Sequence, residues 1–265
     1  MKNIYNSFLV LLVFTASCFG QMDDQFYFPS KKLKPLEFSN YEKVSILTEK
    51  DTLQNIFLKP NGKAKATIVF FQGNGGNYTH YQSVTKPLVE NGYQVFMVSF
   101  RGYGESSGKP THLNIASDSE KVFEYLSKRA DVKDTKIIVY GTSIGCQIAT
   151  NFTRKYQSRI SGLVLDSGFA SFTDIALSTR PKEQHQIIKM YVTSPYSSKE
   201  DIKFIETGNL LVIQSKADKV APFEQGQLVF DNAKISKKMI EYNGEHIEAM
   251  KTEPEKIVTS INEML

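Results

Sequence analysis

The chain has 265 residues, 41% of them hydrophobic and 23% charged, and a formal net charge of +4. That balance belongs to a globular protein with one large domain or two small ones, and it excludes a disordered, collagenous or repeat-array chain. The basic residues are scattered and form no stripe, so nucleic acid is not expected as a partner.

The first twenty residues stand apart. Lys2 precedes the apolar run Phe8–Phe14, and the small residues Thr15, Ala16 and Ser17 follow. The run is too short to cross a bilayer core of about 30 Å and has the three-part layout of a secretory signal peptide over residues 1–20. An exported protein, periplasmic or secreted, is therefore expected. Cleavage after Gly20 leaves Gln21 first. The alternative is a lipoprotein box at Thr15-Ala16-Ser17-Cys18, and only lipidation of Cys18 predicts anchoring to a membrane. The first route is preferred, because Thr15 stands where leucine is usual in such a box. Either way Cys146 is the one unmodified thiol, so the core and no disulfide holds the fold. Placed at the start of an apolar helical pattern, Cys146 itself reads as a small buried side chain.

Residues 21–40 carry Pro29, Pro35 and lysines without a sustained period, an extended lead-in to a body spanning 41–265. Val44–Leu47 and Leu53–Leu58 read as two strands joined by a polar turn. After Asn61-Gly62 come four apolar runs, Thr67–Phe71, Val95–Phe100, Lys136–Tyr140 and Ile160–Leu165, whose β-branched content marks strands buried on both faces. Helical patterns lie between them, the clearest over Asp118–Arg129. The alternation pauses over residues 167–205, then resumes with Leu210–Gln214, a helix after Pro222, Lys238–Glu241 and a closing helix Ile247–Leu265. Strand alternating with helix predicts an α/β fold with a mostly parallel central sheet and helices on both faces. The pause is too short for a domain and reads as a small cap over the carboxyl ends of the strands, where such sheets bind ligands.

The run Lys136–Tyr140 leads directly into Gly141-Thr142-Ser143-Ile144-Gly145 and then into the helical run Cys146–Tyr156. A strand, a sharp turn and a helix present Ser143 as a nucleophile, with glycines where side chains would collide. Gly104-Glu105-Ser106-Ser107-Gly108 fits the same five-residue pattern but precedes Lys109-Pro110 and no apolar helix, so context selects Ser143 over Ser106.

A serine hydroxyl needs a base, and the base needs an orienting acid. His246 lies in a loop between the last strand and the last helix and is preferred as the base; His185 belongs to the cap pattern. Asp218, in the loop leaving Leu210–Gln214, is preferred as the acid, with Asp166 at the end of Ile160–Leu165 as its rival. The oxyanion is expected to meet the N–H of Ile144 and a donor in the glycine-rich turn after Thr67–Phe71, where Asn74 is best placed. That turn lacks the Gly-Lys-Ser/Thr ending of a phosphate-binding loop and the spacing of a dinucleotide fingerprint.

From about Val44 to the C-terminus these segments resemble the α/β-hydrolase superfamily, and its serine-aminopeptidase-like branch with a small cap. The resemblance rests on Phe70–Asn77, on Phe100-Arg101-Gly102-Tyr103-Gly104-Glu105-Ser106, on the turn at Ser143, on Lys216-Ala217-Asp218-Lys219-Val220-Ala221-Pro222 and on Gly244-Glu245-His246. It implies an eight-stranded sheet with one antiparallel strand near its start, no cofactor, no metal, and a triad of Ser143, Asp218 and His246. Gln72 departs from the histidine usual before the oxyanion glycine, and Glu245 from a common glycine. The expected activity is hydrolysis of a carboxylic ester or thioester through an acyl-enzyme on Ser143, with a small-molecule ester or a short peptide as substrate. An aminopeptidase or amidase of the same fold and a non-catalytic binding protein remain the alternatives, since fold does not choose among them. Mass spectrometry of the exported chain is expected to find Gln21 at the amino terminus; diacylated Cys18 would establish the lipoprotein route, and retained Met1 would contradict both.

Overall fold

Uninterrupted β-branched and aromatic runs form the centre of the sheet in the computed structural model, which describes residues 23–265. The signal-like run Phe8–Phe14, Cys18 and Gln21 lie outside the described residues. Eight strands make one sheet: β1 Tyr41–Leu47, β2 Thr52–Leu58, β3 Thr67–Phe71, β4 Gln94–Val98, β5 Ile137–Thr142, β6 Ile160–Asp166, β7 Asn209–Ser215 and β8 Ser236–Tyr242. Their spatial order is β8-β7-β6-β5-β3-β4-β2-β1. Only β2 runs against its neighbours β1 and β4; the other pairings are parallel.

Side chains alternate across a strand, so each central strand feeds two cores. Val69 and Phe71 of β3 join the core under helices α2 (His112–Ser127), α3 (Gly145–Tyr156) and α6 (Phe223–Asn232), while Ile68 and Phe70 join the one under α1 (Gln82–Glu90) and α8 (Pro254–Asn262). Each fully buried apolar side chain of this size contributes about 1.5–3 kcal/mol, which accounts for β3, β4 and β5 being mainly apolar and buried throughout. At the outer edge β8 exposes Ser236, Lys237 and Lys238, and charge there discourages further strand pairing.

Two helices differ from their sequence patterns. The helix expected over Asp118–Arg129 starts at His112, because the Thr111 hydroxyl accepts the Asn114 N–H and the Asn114 side chain accepts the Thr111 N–H, a complete capping box. The closing helix expected over Ile247–Leu265 is two helices, α7 (Ala249–Thr252) and α8, broken at Glu253 because Pro254 has no N–H to continue α7 and suits the first turn of α8.

The region 167–205 contains α4 (Phe172–Thr179), α5 (His185–Tyr191) and a single turn at Ser198–Asp201. Ile175 of α4 and Ile188 of α5 share a cavity with Asn74 and Ser143, at the carboxyl ends of β3 and β5. The lead-in lies against the body: Tyr27 is buried, and Phe28–Pro29 pair in parallel with Gly75–Gly76.

Helix α3 meets β3 at very short range. A Cβ on Gly145 would stand 2.2 Å from the Phe71 carbonyl oxygen and 2.6 Å from that of Gln72, and backbone on both sides leaves nothing to yield. Gly145→Ala is accordingly expected to destabilise the fold by about 1–3 kcal/mol or more, read as a lowered urea midpoint; a wild-type midpoint would disprove this account of the contact.

Candidate active site

The turn between β5 and α3 places Ser143 at φ +52°, in the left-handed region that a side chain occupies only under constraint. The constraint is visible on both sides. Gly141, with a Cβ, would strike the Gly145 carbonyl oxygen at 2.6 Å, and the Ser143 N–H is held by the Asp166 carbonyl at 2.9 Å.

Ser143 Oγ lies 2.9 Å from His246 Nε2, and His246 Nδ1 lies 2.7 Å from Asp218 Oδ2. Asp218 Oδ1 accepts the N–H groups of Val220 and Ala221 at 2.8 and 2.9 Å. A carboxylate so bonded can only accept from the ring, which assigns the imidazole proton to Nδ1 and leaves Nε2 free to accept from the serine hydroxyl. The ring is carried by a loop tied down on both flanks. The Ser215 hydroxyl donates to the Gly244 carbonyl at 2.5 Å, and Ile247 N–H donates to Ser167 Oγ at 3.0 Å.

Asp166 makes no hydrogen bond to His246. Completely buried, it accepts from the Tyr140 hydroxyl at 2.9 Å and the Ser167 hydroxyl at 3.0 Å. Ser167 Oγ also lies 3.3 Å from the Tyr242 hydroxyl, which donates to the Glu245 carbonyl at 2.7 Å. The second carboxylate thus sits behind the His246 loop and braces it through the Ser167 hydroxyl, which accepts the Ile247 N–H. Burial pushes Asp166 up to about 6.

Ser106 is buried in the loop after β4, where its hydroxyl meets Ser99 Oγ at 3.1 Å and accepts Gln54 N–H at 2.9 Å. His185 turns back on its own segment, Nε2 lying 3.1 Å from the Arg180 carbonyl oxygen. Cys146 is fully buried with Sγ 3.2 Å from the Gly141 carbonyl oxygen, and burial raises its thiol well above the ordinary range, which suppresses the reactive thiolate.

Ser143 opens on a cavity of about 690 Å³ whose walls include Phe26, Phe169, Ile175, Ile188 and Val192, with Arg180 among the polar residues lining it. Asn74 and Ile144 line it too, and among the described residues no protein acceptor takes the N–H of either. Such a pair of donors beside a serine can stabilise an oxyanion. Gln72 is fully buried beside this turn, and neither its amide oxygen nor its nitrogen has a partner among the described residues. Among those residues no three His, Cys, Asp or Glu side chains gather to hold a metal ion. Two contributions to the site were missed from the sequence: the wall supplied by Gln25 and Phe26, for which the aromatic cluster Phe26-Tyr27-Phe28 in a polar lead-in was the available signal, and the Tyr140, Asp166, Ser167 and Tyr242 network, which left none.

A family model described as alpha/beta hydrolase fold matches residues 66–192. The protein bem46 of Schizosaccharomyces pombe is 32% identical over 209 residues, covering 77% of this chain and 70% of that protein. The uncharacterized protein YfhR of Escherichia coli K12 is 30% identical over 231 residues, 84% of this chain and 80% of its own. Among solved structures, the esterase Pf2001 of Pyrococcus furiosus superposes with a TM-score of 0.71 at 19% identity, covering 90% of this chain and 98% of that one, a likeness of fold.

The raised carboxyl of Asp166 has a signed consequence for stability. An unfolded aspartate ionises near its ordinary 3.8, whereas the folded one keeps its proton to about 6. The unfolded chain therefore binds fewer protons in that window, and stability falls as pH rises through it, by about 2–3 kcal/mol from this group. Urea unfolding at pH 4 and pH 7 should show the wild type losing more than Asp166→Asn across that interval; parallel losses would refute the assignment.

Proposed function

This chain belongs to the α/β-hydrolase superfamily, and on that premise we propose that it is a serine hydrolase cleaving a carboxylic ester, or a thioester, through an acyl-enzyme on Ser143. The observation that carries the reading is the continuous hydrogen-bonded path from Asp218 through His246 to Ser143. Ser143 Oγ attacks the acyl carbon while its proton passes to His246 Nε2, and the resulting imidazolium is stabilised by Asp218. The oxyanion accepts from Asn74 and Ile144. As the intermediate collapses, the bond from the acyl carbon to the leaving oxygen or sulfur breaks, and His246 returns the proton to that atom. Water then repeats the sequence, with His246 as its base, to free the acid and restore Ser143.

The cavity supports an apolar acyl group, and none of the described residues lining it is acidic. An aminopeptidase needs an anionic group for the substrate's ammonium terminus, so the ester reading is preferred over the peptidase one.

The test is modification of the purified protein by a fluorophosphonate, with the adduct mapped by mass spectrometry. The adduct is expected on Ser143, and the hydrolysis of a short p-nitrophenyl ester should fall by roughly 10⁶ in Ser143→Ala and by about 10⁴ in kcat in Asp218→Asn, which favours the wrong imidazole tautomer. Ser106→Ala should keep the activity of its folded fraction. An unmodified Ser143 with no ester hydrolysis would hand the site to the non-catalytic, ligand-binding reading.

A further inference from the structure

The lead-in before β1 reaches the active site. Asp23–Gln25 form a 3-10 turn, Gln25 and Phe26 line the cavity that holds Ser143, and Phe28–Pro29 run beside Gly75–Gly76. The pairing is made by the backbone: Phe28 N–H donates to the Asn74 carbonyl at 2.9 Å, and Ser30 N–H to the Gly76 carbonyl at 2.7 Å. The Asn74 carbonyl accepts a second bond, from the Tyr103 hydroxyl at 2.5 Å. The peptide planes bearing the N–H and the C=O of Asn74 are rigid and meet at one Cα, so anchoring the carbonyl restricts where the N–H can sit.

The same segment is fastened at its other end. Tyr27 is buried, with its hydroxyl 2.8 Å from His112 Nδ1. Asp23 Oδ1 lies 3.2 Å from His112 Nε2, and Asp23 Oδ2 accepts the His112 backbone N–H at 2.8 Å. The His112 ring stacks on Phe172 of the cap with centroids 3.7 Å apart, and Phe26 meets its edge at 5.3 Å. One imidazole thus joins the lead-in, α2 and the cap.

We propose that Asp23–Ser30 is a positioning strap of the active site, which fixes the Asn74 peptide and through it one of the two oxyanion donors. This rests on the ester-hydrolase reading of Ser143. Without the Phe28 bond the Tyr103 hydroxyl alone anchors the Asn74 carbonyl, and the donor is free to tilt. A misaligned oxyanion donor weakens binding of the transition state more than of the substrate, so kcat falls while KM holds. A merely structural role would lower the melting temperature and leave that split unmoved.

The Phe28 side chain is 58% exposed, so replacing it removes little buried surface. Phe28→Pro deletes the N–H and suits an extended backbone, whereas Phe28→Ala retains the N–H. Relative to Phe28→Ala, Phe28→Pro is expected to lower kcat on p-nitrophenyl acetate by roughly ten- to a hundredfold. KM should stay within about threefold, and fluorophosphonate labelling of Ser143 should slow in proportion. A folded Phe28→Pro matching Phe28→Ala in kcat and labelling rate overturns the strap. Should Phe28→Pro fail to fold, Tyr27→Phe, which removes one of the segment's bonds to His112 without touching Asn74, is expected to lower kcat at constant KM, and an unchanged kcat overturns the proposal. A wild type that neither hydrolyses the ester nor labels at Ser143 removes the ester-hydrolase reading and the strap with it; a labelled wild type with an indifferent Phe28→Pro removes the strap alone.

Discussion

The contact of Gly145 with the carbonyl ends of β3 sets the geometry on which the site depends. Because α3 starts against Phe71 and Gln72, the chain leaving β5 must turn within a few residues, and Ser143 takes the left-handed conformation that this turn requires. The same approach brings the first turn of α3, with Ile144, beside the loop that follows β3, with Asn74. Two backbone donors and the Ser143 hydroxyl therefore share a cavity wall through main-chain packing, before any other polar side chain contributes. The strain at Ser143 is offset by the sheet below it, whose central strands are buried throughout.

Two carboxylates stand near one imidazole, and their surroundings divide the roles. Asp218 has two backbone N–H donors on one oxygen and the His246 ring on the other. Asp166 has hydroxyl donors in a fully buried setting, which holds its proton to higher pH. The hydrogen-bond partners alone thus differ enough to put Asp218 on the imidazole ring and Asp166 behind its loop. The loop bearing His246 is gripped from both sides, by the Asp218 carboxylate on the ring and by the hydroxyls of Ser167, Ser215 and Tyr242 on the backbone.

The central strands and the parallel sheet were legible because a strand buried on both faces is written as a mainly apolar run, as in Thr67–Phe71. The positions of Ser143, His246 and Asp218 were legible because each lies in a loop directly after a recognisable strand. Less could be read where something other than the apolar pattern decides. The start of α2 depends on Thr111 and Asn114 capping each other, outside the apolar period that marks the helix interior. The choice between Asp218 and Asp166 depends on which carboxylate the His246 ring faces, and both follow a strand in the same way. The docking of residues 23–30 depends on a histidine some eighty residues further on, a contact no local pattern records.

The hydrogen bond between Ser143 and His246 spans 103 residues of chain, and that between Tyr27 and His112 spans 85. Contacts so remote in sequence must meet a loop-closure cost before they form. The turn at Ser143 is local and can be shaped early, but on the proposed reading its hydroxyl stays a weakly reactive alcohol until the loop bearing His246 arrives from the far end of the sheet. On the proposed ester-hydrolase reading, hydrolytic power is a property of the finished molecule: partly folded chains would carry the serine without its base and pose little chemical hazard to the esters around them.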